Sequence, residues 1–194
     1  MGATATKLEP KGRLSAADWE EAALATLAES GLSAVAVESL ARRLGVTKGS
    51  FYWHFATREA LIKAALERWE KSDEEIVVAQ LDAIADPRER LRELFRRVSG
   101  EMPSHVIYAA LMQSLDHPLV RPVMARVSQR RLDVLALAYR QAGLERREAE
   151  HRARLAYSAY TGFLQLTLQL RLPRLGHDEF EAYVDHVIAT LVPA

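Results

Sequence analysis

Thr47, Lys48, Ser50 and Tyr52 lie within one run of six residues and together offer an ammonium and three hydroxyls. A lysine can donate to guanine, threonine and serine hydroxyls can reach base edges or phosphates, and a tyrosine hydroxyl can meet a phosphate oxygen. Trp53 and His54 extend the run, and Arg42, Arg43, Arg58 and Lys63 surround it. Between Arg42 and Lys63 five basic residues face one acid, Glu59, so the local charge is 5 − 1 = +4. The whole chain is neutral, with 26 Lys+Arg against 26 Asp+Glu. Bulk positive charge therefore cannot coat a polyanion, and any grip on DNA has to be local. These ten positions form the candidate DNA-binding set.

Such side chains are useful only if a rigid element presents them. Val37, Leu40, Ala41 and Leu44 recur at i, i+3, i+4 and i+7, which predicts a short helix whose apolar stripe must pack on a neighbour. Gly45 follows at once and can take the positive φ of a tight turn between helices. Val46 can plug that turn, and Thr47 is placed as the N-cap of a second helix over 48–54. Phe51 and Phe55, four apart, share the face that buries, which leaves Lys48, Ser50 and Trp53 or His54 outward. The pattern is that of a helix-turn-helix.

Other chemistries find little support. There is no cysteine, so disulfides, thiolate metal sites and cysteine nucleophiles are excluded. Glu148-x-x-His151 is half of a di-iron bundle motif, but a second copy is missing. Gly45-Val-Thr-Lys-Gly-Ser50 has the wrong order for a phosphate loop and no preceding strand. Neither Gly-x-Ser-x-Gly nor His-Glu-x-x-His occurs. No catalytic residue, metal site or cofactor is expected, and the chain does not read as an enzyme. Residues 1–14 read as a flexible arm without the apolar core of a secretory signal. The greasiest stretch, Phe163–Leu172, is interrupted by Gln165, Gln169 and Arg171, so no membrane span is expected. A soluble, cytoplasmic protein is the expectation.

Strand signals are nearly absent and helical periodicity runs throughout, which predicts an all-α chain of about nine helices. Gly31, Gly45, Gly100, Gly143 and Gly176 are placed to end helices, and Pro87, Pro103, Pro118 and Pro173 to sit near starts or stops. The first helix starts near Ser15 and runs to Gly31, and a fourth spans Arg58 to about Asp73. Later helices are expected over 75–85, 87–98, 104–115, 119–142, 146–172 and 178–191. Pro122 is tolerable only in a first turn.

The segment Leu40-Ala-Arg-Arg-Leu-Gly-Val-Thr-Lys-Gly-Ser-Phe-Tyr-Trp-His-Phe55, followed by Thr57-Arg-Glu-Ala-Leu61, resembles the DNA-binding signature of the tetracycline-repressor family. The likeness spans about Ser15 to Trp69, with Arg58 where the family more often has lysine. It implies an N-terminal three-helix DNA-binding domain (15–57) and a C-terminal helical domain (58–194) that binds an effector and dimerises. The implied function is that of a repressor released from a palindromic operator by a small molecule.

Within the implied effector cavity, Met102, His105, Tyr108, Met112, Tyr139, Tyr157, Thr161 and Gln165 could line a largely apolar site with a few polar handles. On the penultimate helix Leu155, Ala159, Gly162, Phe163, Leu166 and Leu170 share one face, with small residues that permit close approach. Phe180, Val184, Val187, Ile188 and Leu191 form a stripe on the last helix. Four such helices from two copies would make a homodimer bundle. The expected partners are double-stranded operator DNA, a second copy of the chain, and an unidentified small, largely apolar effector.

Overall fold

The computed structural model describes residues 14–78, 84–99, 103–172 and 175–192. Among these the chain is all helical: α1 (Ala16–Ser30), α2 (Val37–Leu44), α3 (Lys48–Tyr52), α4 (Arg58–Val78), α5 (Pro87–Ser99), α6 (Pro103–Met112), α7 (Val120–Gln141), α8 (Arg146–Leu164) and α9 (His177–Leu191). A 3-10 turn over Leu32–Ala34 joins α1 to α2, and a π turn over Gln165–Gln169 prolongs α8.

Ser15 opens α1 with a reciprocal cap: its Oγ accepts the Asp18 N–H at 3.3 Å while Asp18 accepts the Ser15 N–H at 2.6 Å. Two orphan donors are met, and the Asp18 carboxylate sits at the positive end of the helix. Pro122 falls in the first turn of α7, where its missing N–H costs little.

Five boundaries differ from expectation, the first being α6, which ends at Met112 and not at Leu115. No glycine or proline interrupts residues 58–78, and α4 accordingly runs unbroken past Asp73 to Val78. The rest of the helix expected over 75–85 lies partly outside the described residues, as does Gly100. Helix α3 is short, closing at Tyr52 so that Trp53 and His54 form a turn. Gly176 is the N-cap of α9 rather than a helix end. Finally, α8 does not continue to Leu172. Thr167 Oγ1 donates back to the Phe163 carbonyl at 2.7 Å, and Gln169 Nε2 reaches the Ala109 carbonyl at 2.8 Å. Such bonds favour a widened turn over a straight α-helix.

Two apolar clusters hold the molecule. The first contains Trp19, Leu27, Leu40, Phe51, Leu61 and Trp69, and continues into Tyr108, Leu111, Met124 and Val127. Helix α4 is its spine, packed on α1 at one end and on α7 at the other. The second gathers Leu91, Phe95, Leu135, Tyr139, Ala149, Ala153, Val184, Ile188 and Leu191 from α5, α7, α8 and α9. Burying each large side chain here is worth roughly 1.5–3 kcal/mol relative to leaving it exposed.

Candidate nucleic-acid interface

Gly45 terminates α2 with φ +72° and ψ 32°, the left-handed conformation its lack of a Cβ allows. The Gly45 N–H bonds the Arg42 carbonyl at 3.2 Å and the Val46 N–H bonds that of Ala41 at 3.0 Å, so the last carbonyls of α2 are met inside the turn. Thr47 is the N-cap of α3 as expected, but its hydroxyl makes no cap bond. That hydroxyl stays on an exposed residue at the head of the helix.

Phe51 anchors the short α3. It is fully buried, edge-on to Trp19 at 5.3 Å between ring centroids and 5.8 Å from Phe55. With Phe51 inward, helical geometry turns Lys48 and Tyr52 outward. Tyr52 is 63% and Trp53 76% exposed, unusual values for large aromatic residues. Ser50 and His54 are half-buried beside them. The structure thus brings Thr47, Lys48, Ser50, Tyr52, Trp53 and His54 to one short surface.

The basic residues prove less alike than the sequence suggests. Arg43 forks onto Glu29 at 2.6 and 2.7 Å, and its hydrogen bond holds the Glu29 carboxyl below its ordinary value. Lys48 pairs with Glu38, whose carboxyl is likewise held low by that bond. Lys63 stands 3.8 Å from Glu67. Arg42 is the one cation of the five without an acidic partner among the described residues.

Arg58 requires a correction. Expected to meet phosphate, it is turned inward instead: its Nε donates to the Val35 carbonyl at 2.5 Å and its Nη2 to that of Leu32 at 2.9 Å. It closes the connection between α1 and α2, adding a second donor to the Leu32 carbonyl, which already takes the Val35 N–H at 3.2 Å.

Residues 21–65, which contain this turn and both flanking helices, match the family model of bacterial regulatory proteins of the tetR family. Over that segment the chain is similar to the tetR family. It is 30% identical over 110 residues to the HTH-type transcriptional regulator SrpR of Pseudomonas putida, a match covering 50% of this chain and 52% of that one. The chain thus spans about half the length of that relative. Among solved structures, a tetR-family transcriptional regulator from Agrobacterium tumefaciens superposes with a TM-score of 0.75 at 15% identity, covering 92% of this chain and 97% of that one. The multidrug binding protein EbrR complexed with imidazole gives 0.61 at 23% identity, covering 96% and 97%. Identities this low establish the shared fold.

In the helical body that follows, the expected effector residues separate. Tyr108 and Tyr157 meet through their hydroxyls at 2.6 Å, and Tyr157 donates on to Ser128 at 3.0 Å. Burial pushes the Tyr108 phenol well above its ordinary value. His105 is buried nearby, edge-on to Tyr160 at 5.5 Å. Tyr139 lies apart in the second cluster, where burial pushes its phenol up to about 12 and its hydroxyl has no hydrogen-bond partner. Thr161 spends its hydroxyl on the Ser158 carbonyl at 3.1 Å. Met112 and Gln165 are exposed, and Met102 lies outside the described residues. Among the described residues no cluster of metal-binding side chains occurs, and no helix is long and apolar enough to cross a membrane.

Five residues missed in the sequence bind α4 to α7. Asp73 and Arg131 pair at 2.5 Å with both side chains buried. The Glu70 carboxylate takes a two-point contact from Arg126 at 2.9 and 2.6 Å and a weaker one from Arg130 at 3.5 Å. A signal existed: Asp73 falls four residues after Trp69, and Arg131 four after Val127, each on its helix's apolar stripe.

The expected dimer residues also divide. Leu155, Ala159, Leu166 and Leu170 are exposed and Gly162 has open space before it, so this stripe is uncovered in one copy of the chain. Phe163 is half-buried, 5.7 Å from the partly exposed Tyr183 ring. By contrast, Val184, Ile188 and Leu191 are buried within the same chain, with Val187 packed on the same cluster. They cannot face a second copy, because α5 lies against that side of α9. The outward face of α9 carries Ala182, Tyr183, His186 and Ala189 instead.

Proposed function

We infer that the chain is a DNA-binding transcriptional regulator, a homodimeric repressor that leaves a palindromic operator when a small molecule binds its helical body. The observation that carries this is the turn at Gly45, which holds Phe51 on Trp19 and points Lys48 and Tyr52 outward from the same helix. A helix so anchored can enter the major groove by its N-terminal end. Residues 15–57 form the reading unit, with Arg42, Arg43, Thr47, Lys48, Ser50, Tyr52, Trp53 and His54 as its contacts and Lys63 of α4 beside them. Residues 58–194 carry effector binding and dimerisation. The protein works on DNA rather than as an enzyme, in the cytoplasm.

Dimerisation matters because two recognition helices must meet half-sites about 34 Å apart. The uncovered stripe Leu155, Ala159, Gly162, Leu166 and Leu170, joined by the outward face of α9, suits an isologous helical interface. The effector is small and largely apolar, and it enters among α4, α6, α7 and α8 near Tyr108 and Tyr157. A gel shift with the DNA flanking its own gene tests the central claim: a sequence-specific complex that weakens steeply with salt is expected. Binding no stronger than to unrelated DNA of equal length would overturn it.

A further inference from the structure

The seam between α4 and α7 closes around a guanidinium. Arg131 Nη2 donates to Asp73 at 2.5 Å and Nε at 3.3 Å, and the two side chains are only 12% and 5% exposed. Its carbon stands 4.6 Å from the Tyr108 ring centroid and 5.5 Å from that of Tyr160, so aromatic faces flank the charge. Burial is the largest single influence and opposes the Arg131 charge, but the Asp73 hydrogen bond together with the charges of Tyr160, Asp73 and Tyr157 outweighs it, and the group is held firmly protonated.

One buried donor beside Tyr108 is unmet. Trp69 packs on Tyr108 at 6.4 Å, is 3% exposed, and its indole N–H finds no acceptor. Arg130, the preceding residue, turns instead to Glu70 and Glu74, its Nη1 standing 3.8 Å from Glu74 without a hydrogen bond. Unmet buried donors are rare and costly, and a further acceptor would relieve that of Trp69. Asp73 is the only carboxylate that Arg131 pairs with among the described residues. A buried ion pair returns little net stability, because desolvation consumes most of the attraction. Exchanging one carboxylate for another keeps a counter-charge on the guanidinium, and the cost falls on Asp73, which as a whole residue is 4% exposed and must move toward water once it is displaced.

We propose that Arg131 is the handle for an organic carboxylate with a flat aromatic body: the acid displaces Asp73 from the guanidinium, and the body lies against Tyr108 and Tyr160. This deepens the reading of a ligand-responsive regulator and rests on it for its consequence, not for the binding itself. Asp73 belongs to α4, the helix packed on α1 and the recognition unit. Once released from Arg131, Asp73 no longer ties α4 to α7, and the ligand gains differential affinity for the shifted arrangement.

The test titrates the full-length chain, by calorimetry at fixed ionic strength, with sodium benzoate and sodium 2-naphthoate against the neutral benzamide and 2-naphthamide. Both acids should bind wild type at least about tenfold tighter than their amides. Asp73→Asn, which removes the competing charge, should bind the acids several-fold tighter still and leave amide binding unchanged. Arg131→Gln should erase the preference for acid over amide. Circular dichroism checks each fold. If Asp73→Asn is unfolded, benzoate but not benzamide should restore its helix signal, and failure to do so would overturn the site. Equal binding of acids and amides, no saturable acid binding to wild type or a folded Asp73→Asn, or an acid preference that survives Arg131→Gln would each overturn it too. A parallel gel shift keeps the two readings apart. Operator binding without acid preference sinks this site alone, and acid preference without operator binding sinks the regulatory reading alone.

Discussion

Arg58 donates its Nε–H to the carbonyl oxygen of Val35 at 2.5 Å, across twenty-three residues of chain, and thereby ties the first turn of α4 to the loop entering α2. Two carbonyls accept from this one side chain, that of Leu32 also taking the Val35 N–H at 3.2 Å. Arg58→Ala should cost about 1–3 kcal/mol in chemical denaturation, since both oxygens lose a charged donor. Arg58→Lys should recover only part, because an ammonium lacks the fork that reaches both. The salt slope of DNA binding should not change in a folded Arg58→Ala. A slope lower by about one would restore the phosphate role expected from sequence.

Lys48 is held by Glu38 in the absence of DNA. DNA must therefore compete with that carboxylate, and Glu38→Gln should tighten operator binding while Lys48→Ala and Tyr52→Ala each lose roughly 1–3 kcal/mol. Fluorescence anisotropy on an operator fragment measures all three. Unchanged affinity in both Lys48→Ala and Tyr52→Ala would remove α3 from the interface.

At Gly45 an added Cβ would meet nothing within 4 Å, so any penalty there is conformational and not steric. Gly45→Val forces a β-branched residue to φ +72° and should cost about 1–3 kcal/mol, with loss of DNA binding. Gly45→Asn should be milder, because asparagine tolerates the left-handed region. Thermal melts of the two variants that coincide would show that strain at this turn is not what matters.

Gly162 faces open space in a single chain, so Gly162→Arg should fold normally. If two copies approach along this stripe, the arginine prevents it and sedimentation should show monomers with weakened operator binding. An unaltered dimer would place the interface elsewhere.

Glu70 is held below its ordinary value of 4.5, chiefly by the Arg126 hydrogen bond, with Arg126 and Arg130 charges adding to it. A carboxylate with a depressed folded pKa contributes stability that is present above the unfolded value and disappears as pH falls through the folded one. Wild type should thus lose stability on acidification below about pH 4.5, and Glu70→Gln should lose less over the same range while being less stable at neutral pH. Parallel stability curves for both proteins would show that this contact contributes nothing to the acid limb.

Much of the reading head is legible in the sequence, because its parts are local. A stripe at 37, 40, 41 and 44, a glycine and an N-capping threonine constrain one another within a dozen residues, and the structure returns that turn with Gly45 left-handed. Arg58 was misjudged because its partners are two backbone carbonyls, which no residue type announces. On α9 the periodicity of Val184, Ile188 and Leu191 identifies a buried face correctly but does not say what covers it, and α5 of the same chain does. Asp73 and Arg131 were overlooked for the opposite reason. Each is a charge inside an apolar stripe, and it becomes intelligible only when the other, 58 residues away, is seen opposite.

The unbroken course of α4 has a mechanical corollary. Twenty-one residues make a rod about 30 Å long, at roughly 1.5 Å per residue, and a rod without a proline or glycine joint does not fold up to absorb a push. Ion pairs act near one end, at Glu70 and Asp73, and the reading head is seated near the other, at Leu61 and Ile62. Tilting such a lever by about 5° moves its far tip by roughly 2.5 Å, close to the full length of a hydrogen bond. In a symmetric pair two levers swing at once, so an event no larger than the exchange of one carboxylate would throw both heads out of step with the groove.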